Sequence, residues 1–276
     1  MILARKQAVR DAATWQAARA NARIEWPDDR LDALIHATVT HIRETTRGRR
    51  TAIAWSGGKD SLALELLARQ AGITDAVLAV CHLEVPATLA WVDQHAPDNL
   101  TIVNTGQDLD WLARNPHMLF PQGQHGARWY VIVNHRGQET YFHDRGLDLL
   151  LLGRRRRDGN YCGPGGSVVY TNRRGVTHYS PLADWPHEAV FALLDRHGVQ
   201  LPPCYGWPRG WQIGTGPWPA RQWTHSVDHG WSEIWQIDPG IVHQAATTLP
   251  SAAYWLAHHT DHATDHSDDT GDDSGA

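Results

Sequence analysis

The sequence predicts an α/β protein: a mostly parallel five-stranded sheet with helices on both faces, an N-terminal helical extension before it and an irregular C-terminal segment after it. Short, wholly apolar runs alternate with amphipathic stretches from Thr51 onward, the pattern of strands buried on both faces and linked by crossover helices. Helical periodicity fills the residues before the first of these runs. Hydrophobic residues make up 42% of the 276 positions, enough for a sizeable core.

The elements follow in order. Apolar residues recur at helical spacing over Arg5–Ala22 and Asp28–Glu44, with Pro27-Asp28-Asp29 acting as a stop and a new helix start. Strands are then predicted at Thr51–Trp55, Ala76–Cys81 and Leu100–Val103, with helices at Asp60–Gln70, Ala87–His95 and Asp108–Ala113 between and after them. Trp129–Val133 and Leu147–Leu152 read as two more strands. Ser167–Thr171 and Val176–Tyr179 read as a hairpin turning at Asn172-Arg173-Arg174-Gly175. A helix over Trp185–His197 follows, then a loop from Leu201 to Trp223 dense in Pro, Gly and Trp, and a short helix over Asp228–Trp235.

Charge and cysteine content narrow the function classes. The net charge of -5 is concentrated in the tail: Ala257–Ala276 carries six Asp and no Lys or Arg, which leaves 24 acids against 25 bases elsewhere. A nearly neutral body gives no general electrostatic case for nucleic acid. The tail reads as disordered, with His258, His259, His262 and His266 as loose metal ligands or as part of a solvated, solubilising segment. Cys81, Cys162 and Cys204 form neither a CxxC pair nor a disulfide ladder, so a reducing compartment is expected and no iron-sulfur cluster held by four cysteines of this chain. No apolar run approaches the roughly 18 residues of a membrane span, and the first residues lack the apolar core of a secretory signal. The expected protein is cytoplasmic, with no membrane partner. Tryptophan is abundant, 14 against 3 Phe, and seven of them follow the last main helix. Such rings serve core packing or stacking on bases.

The most informative stretch is Trp55-Ser56-Gly57-Gly58-Lys59-Asp60-Ser61, an apolar strand entering a tight Gly-Gly turn and then a helix. Two glycines let the backbone approach an anion, and the helix start aims N–H groups and a positive dipole end into the turn. Ser56 and Ser61 add hydroxyls and Lys59 an ammonium. The chain uses 23 Arg and only two Lys, so a lysine here is notable. A bare Gly-Gly turn with an Asp or Ser cap is the alternative. A second anion site is predicted at Arg154-Arg155-Arg156-Arg157, just past the buried Leu147–Leu152 strand, with Asp158, Arg173 and Arg174 close in sequence.

Ser-Gly-Gly-Lys-Asp-Ser at 56–61 resembles the PP-loop of the ATP pyrophosphatase superfamily, of HUP-like fold. Several further segments are similar to the phosphoadenosine phosphosulfate reductase-like branch: Glu84-Val85-Pro86-Ala87-Thr88, Arg128-Trp129, Gly153-Arg154-Arg155, Tyr179-Ser180-Pro181-Leu182 with Trp185, Pro203-Cys204-Tyr205, and Ile213-Gly214 through Ala220-Arg221. The likeness runs from Thr51 to Arg221. It implies that Ser56, Gly57, Gly58, Lys59, Ser61, Gly153 and Arg221 bind nucleotide, and that Lys59, Asp60 and Arg155 are catalytic. Asp60 would hold Mg²⁺ or cap the helix. The cofactors implied are ATP and Mg²⁺.

The implied reaction is cleavage of ATP between its α and β phosphates with adenylylation of an unidentified acceptor, a sulfur donor or nucleic acid being the candidate partner. One departure bears on the reaction: no cysteine follows Cys204, whereas sulfonucleotide reductases of this family carry a nucleophilic cysteine in a tail. The alternatives are such a reductase, working through Cys204 or Cys162 with thioredoxin, and a non-catalytic nucleotide-binding subunit of a DNA or RNA modification assembly. The expected organisation is a helical extension at 1–48, a nucleotide-binding domain at 49–223, a helical or irregular segment at 224–256 and a disordered acidic tail at 257–276.

Overall fold

A computed structural model describes residues 12–122, 125–222 and 224–259. Outside these lie residues 5–11 of the first expected helix, Trp223, and residues 260–276 of the expected acidic tail.

Two helices come first, α1 (Ala12–Glu25) and α2 (Asp28–Thr46). The alternating unit follows as β1 (Thr51–Ala54), α3 (Lys59–Gln70), β2 (Ala76–Val80), α4 (Pro86–His95), β3 (Leu100–Asn104) and α5 (Leu109–Arg114). A π-helical segment, Tyr130–His135, runs directly into α6 (Arg136–Asp144), and β4 (Leu149–Leu152) returns to the sheet. The hairpin is β5 (Val169–Thr171) and β6 (Thr177–Tyr179), and α7 (His187–Arg196) packs along α1. The remaining helices are α8 (Gly210–Ile213), α9 (Val227–Ile237), α10 (Pro239–Ala246) and α11 (Pro250–His259). Among the described residues no helix is long and apolar enough to cross a membrane.

The sheet has six strands in the order β3-β2-β1-β4-β6-β5, parallel except for the β5–β6 pair. Five had been expected, and the difference has two sources. Both hairpin strands join the sheet, β6 pairing in parallel with β4. Trp129–Val133 leaves it, forming helix instead of strand. Its buried residues, Trp129, Val133 and then Gly137, recur every four positions, while Tyr130 and Val131 are exposed. Alternate burial would have made a strand, and spacing by four makes a helix whatever the β-propensity of the residues.

β1 pairs in parallel with both β2 and β4, Ile53 lying opposite Leu151. The chain therefore winds outward from β1 through β2 to β3, then crosses back to β4. Such a reversal opens a crevice at the carboxyl ends of the two strands where it occurs, here β1 and β4. Strand side chains alternate between two cores. Leu149 and Leu151 join Leu64, Leu67 and Phe191 beneath α2, α3 and α7, while Leu150 and Leu152 join Tyr141 and Phe142 of α6. The Trp-rich C-terminal segment builds a third core, with Trp129, Trp218, Trp231 and Trp255 packed among Ile234 and Val242. The segment expected as helical or irregular at 224–256 holds three short helices, α9, α10 and α11, the last of which runs to His259.

Candidate functional site

Beyond Ala54 the chain turns through Ser56-Gly57-Gly58 and enters α3 at Lys59. Gly57 has φ +69°, in the left-handed region, and a Cβ there would lie 2.9 Å from the Trp91 ring. Glycine is required on both counts. The loop closes on itself through its hydroxyls. Ser61 Oγ accepts the Ser56 N–H at 3.2 Å and donates to the Gly58 carbonyl at 2.9 Å, and the Gly58 N–H donates to Ser56 Oγ at 3.3 Å. The Lys59 N–H donates to the Tyr205 hydroxyl at 2.9 Å. Two amides at this helix start thus meet internal hydroxyl oxygens, in the place where an anion's oxygens would be received.

Gly153 closes the other side. A Cβ on it would sit 2.8 Å from the Asp60 carbonyl carbon and oxygen, so the end of β4 presses directly on the first turn of α3. This contact delivers Arg155 to the same place. Its side chain is fully buried, with Nε 2.7 Å from Asp60 Oδ1 and Nη2 2.8 Å from Asp158 Oδ2. Lys59 Nζ lies 2.7 Å from Asp60 Oδ2 and 3.4 Å from Asp158 Oδ2. Two cations and two carboxylates form one balanced network. Burial pushes the Asp60 carboxyl up, but Arg155 and Lys59 outweigh it and hold the group below the usual carboxylate range. Asp158 is raised by burial and by Asp60 beside it. His187 completes the cluster, its Nδ1 2.9 Å from Arg155 Nη2. Burial, then Arg155 and Lys59, push its imidazole down to about 3.

The network bears on Mg²⁺. Both Asp60 oxygens are engaged, one by Lys59 and one by Arg155. Among the described residues no group of three or more His, Cys, Asp or Glu is arranged to hold a metal. Asp60 therefore does not fit the role of a magnesium ligand here, and the cap position at the start of α3 is held by Gly58, with Asp60 inside the first turn.

The expected four-arginine anion site is dispersed. Arg155 is a buried counter-ion, Arg156 pairs with Asp184 and the Gly166 carbonyl, and Arg157 is exposed. Arg154 lines the cleft but is held by the Tyr170 and Tyr130 hydroxyls at 2.7 and 2.9 Å. Arg221 lies away from the cleft, buried against Glu233 at 3.1 Å and the Pro208 carbonyl. Glu84, in the segment after β2, accepts the Cys81 N–H at 3.2 Å, and burial pushes its carboxyl up to about 7. All three cysteines are free and buried. Burial raises each thiol, that of Cys204 to about 12.

The cleft between the ends of β1 and β4 is lined by Ser56, Gly58, Lys59, Asp60, Ser61 and Gly153, which the sequence had brought together. It also takes in residues that the sequence did not single out for the site. Trp15 of α1 reaches the cleft, stacked on Trp211 at 5.6 Å with Lys59 Nζ 4.8 Å from its ring centroid. Asn134 and Gln138, four apart on the helical stretch whose start, Trp129–Val133, had been read as a strand, form the opposite wall. Asp158, noted in the sequence only as a neighbour of the arginine run, belongs to the core of the network. Continuing the four-residue spacing from Trp129 through Val133 to Gly137 is the signal that would have placed Asn134 and Gln138 on a helix.

Sheet order, switch point and the glycine turn into α3 together define a PP-loop α/β protein. The chain belongs to the phosphoadenosine phosphosulfate reductase domain family, which it matches over residues 50–207, more than half its length. Among solved structures, phosphoadenylyl-sulfate (PAPS) reductase from Candida auris, a phosphate complex, is similar at 15% identity and a TM-score of 0.49, over 69% of this chain and 95% of that one. The U34-tRNA thiolase NcsA from Methanococcus maripaludis, determined with its 4Fe-4S cluster, is similar at 16% identity and a TM-score of 0.44, over 83% of this chain and 80% of that one. No curated protein sequence matches the chain.

Proposed function

We propose that this chain cleaves ATP between the α and β phosphates and transfers the adenylyl group to an acceptor. The observation that carries the reading is the turn at Ser56–Ser61, set at the sheet's switch point with the Lys59 ammonium in the cleft. An oligophosphate entering there replaces the Tyr205 hydroxyl on the Lys59 amide and the Ser56 hydroxyl on the Gly58 amide. An acceptor oxygen then donates a lone pair to the α-phosphorus. The bond to the α–β bridging oxygen breaks, and pyrophosphate departs with that electron pair. A proton carried by the acceptor oxygen passes to water. Lys59 and the loop amides stabilise the charge that develops on the leaving group, and they hold it in position before the bond breaks.

The thiols favour this reading over sulfonucleotide reduction. A thiol that attacks activated sulfate must be accessible and readily ionised, whereas Cys204 is 1% exposed and its thiol is raised to about 12.

The test is pyrophosphate release from ATP by the wild-type chain across carboxylate, amide, sulfate and nucleic-acid acceptors. Wild type should release it with at least one acceptor, and Lys59→Ala should lower the rate about 100-fold or more. ATP binding with no release for any acceptor would favour the non-catalytic subunit. Sulfite release from phosphoadenosine phosphosulfate, abolished by Cys204→Ser, would favour the reductase.

A further inference from the structure

The wall of the cleft opposite the phosphate loop carries an acceptor that nothing among the described residues satisfies. Gln138 is 9% exposed, and its Oε1 is buried without a hydrogen-bond partner. A buried carboxamide oxygen left unpaired is costly, and native structures retain such groups where a ligand satisfies them.

The local fold explains how it comes to be there. Gly137 seats the helix on β2 so closely that a Cβ would lie 2.5 Å from Ala79 Cβ. The next residue is thereby brought to the cleft beside Ala79. The π-helical turn at Tyr130–His135 precedes it and sets the register in which Asn134 and Gln138 both line the cleft. Wide turns of this kind recur at functional sites. The cleft also takes in Ala54, Ala79 and Leu152 from the carboxyl ends of three neighbouring strands. The two alanines there leave room for the face of a flat ring, and Gln138 lines the same cleft.

Resting on the nucleotide reading above, we infer that Gln138 is a specificity residue that reads the base. A carboxamide presents one acceptor and one donor side by side, which matches a base edge carrying an exocyclic amine next to a ring nitrogen, as in adenine at N6 and N7. A 6-oxo purine offers acceptors at both positions and leaves Gln138 Oε1 unsatisfied. The cost of that unpaired group corresponds to about tenfold or more in affinity.

Calorimetric titration of the full chain with ATP, ITP, GTP and inorganic pyrophosphate tests this. Wild type should bind ATP at least about tenfold tighter than ITP or GTP. Gln138→Met, close in volume, should weaken ATP until it matches ITP and leave pyrophosphate affinity unchanged. Gln138→Leu is a second variant should the first fold poorly. Equal affinity of wild type for ATP and ITP overturns the inference without any variant, as does an undiminished ATP preference in Gln138→Met. In both cases pyrophosphate binding would leave the phosphate site standing. Failure of wild type to bind either ATP or pyrophosphate would overturn the nucleotide reading itself.

Discussion

Two buried charge networks hold this protein together, and they are built differently. At the sheet edge, Lys59 and Arg155 face Asp60 and Asp158, two charges of each sign. Under the Trp-rich segment, Arg209 and Arg221 share one carboxylate, Glu233, at 2.7 and 3.1 Å. Backbone oxygens supply the rest there: Arg209 donates to the Gln222 carbonyl at 2.7 Å and Arg221 to that of Pro208. The first network opens on the cleft, so its lysine can exchange a carboxylate for a ligand's phosphate. The second is a clasp. It ties α9 to the loop before it, and it holds Arg209 at φ +51°, a left-handed conformation that a non-glycine residue adopts only when its surroundings impose it. Arginine in a sequence therefore signals a carboxylate partner as readily as it signals an anionic ligand.

Removing one member from each network separates the two roles. Arg155→Ala strips two buried carboxylates of their shared guanidinium, and breaking a buried ion pair by deleting one partner costs about 3–5 kcal/mol. Arg155 is fully buried and bound by both acids, so the upper half of that range is expected in urea unfolding, with nucleotide affinity lost as well. Glu233→Gln leaves two guanidiniums without their carboxylate. Arg209 is partly exposed, at 23% for its side chain, and can rehydrate, so about 3 kcal/mol is expected. Nucleotide affinity should survive, because Glu233, Arg209 and Arg221 all lie outside the cleft lining. If Glu233→Gln abolished binding while still folded, the division into a site network and a clasp would fail.

The same contrast marks what could be read from the sequence. The turn at Ser56–Ser61 was legible because its signals are local: an apolar strand, two glycines, a rare lysine and a helix start lie within a dozen residues. The role of Arg155 was not. It depends on Asp60, ninety-five positions earlier, which the parallel pairing of β1 with β4 and the bare Cα of Gly153 bring into contact. The pairing of Arg221 was hidden for the same reason, since its partner Glu233 lies on a helix whose packing no local pattern reveals. Trp129–Val133 failed differently. Its β-branched residues suggest a strand, but the period of burial over the longer stretch to Gly137 belongs to a helix, and tertiary packing decided the matter. The abundance of tryptophan was ambiguous between packing and stacking. Trp231 and Trp255 pack in the third core, whereas Trp15 and Trp211 stand at the cleft.

Acid should loosen the site network at a pH where the clasp still holds, the smallest of these effects. His187 takes part only as a neutral ring, since its Nδ1 must accept from Arg155. Its folded pKa of about 3 lies below the unfolded value near 6.5. The unfolded chain therefore binds the extra proton between those limits. The stability this histidine contributes is complete above about pH 6.5 and declines as pH falls toward about 3. Between pH 7 and pH 5 the loss is on the order of 2 kcal/mol for such a group. His178 and His135, pushed down to about 3 and about 4 by burial and by Arg154, act in the same direction. Asp60 and Glu233, both held below their ordinary values, begin to matter only under the carboxylate range near pH 4. His187→Asn keeps an acceptor for Arg155 but cannot be protonated. Urea midpoints from pH 7 to pH 5 should therefore fall less steeply in His187→Asn than in wild type, by about one histidine's share, while Glu233→Gln should keep the wild-type slope at a lower starting stability. A slope unchanged in His187→Asn would mean that this ring is not the group that acid strikes first.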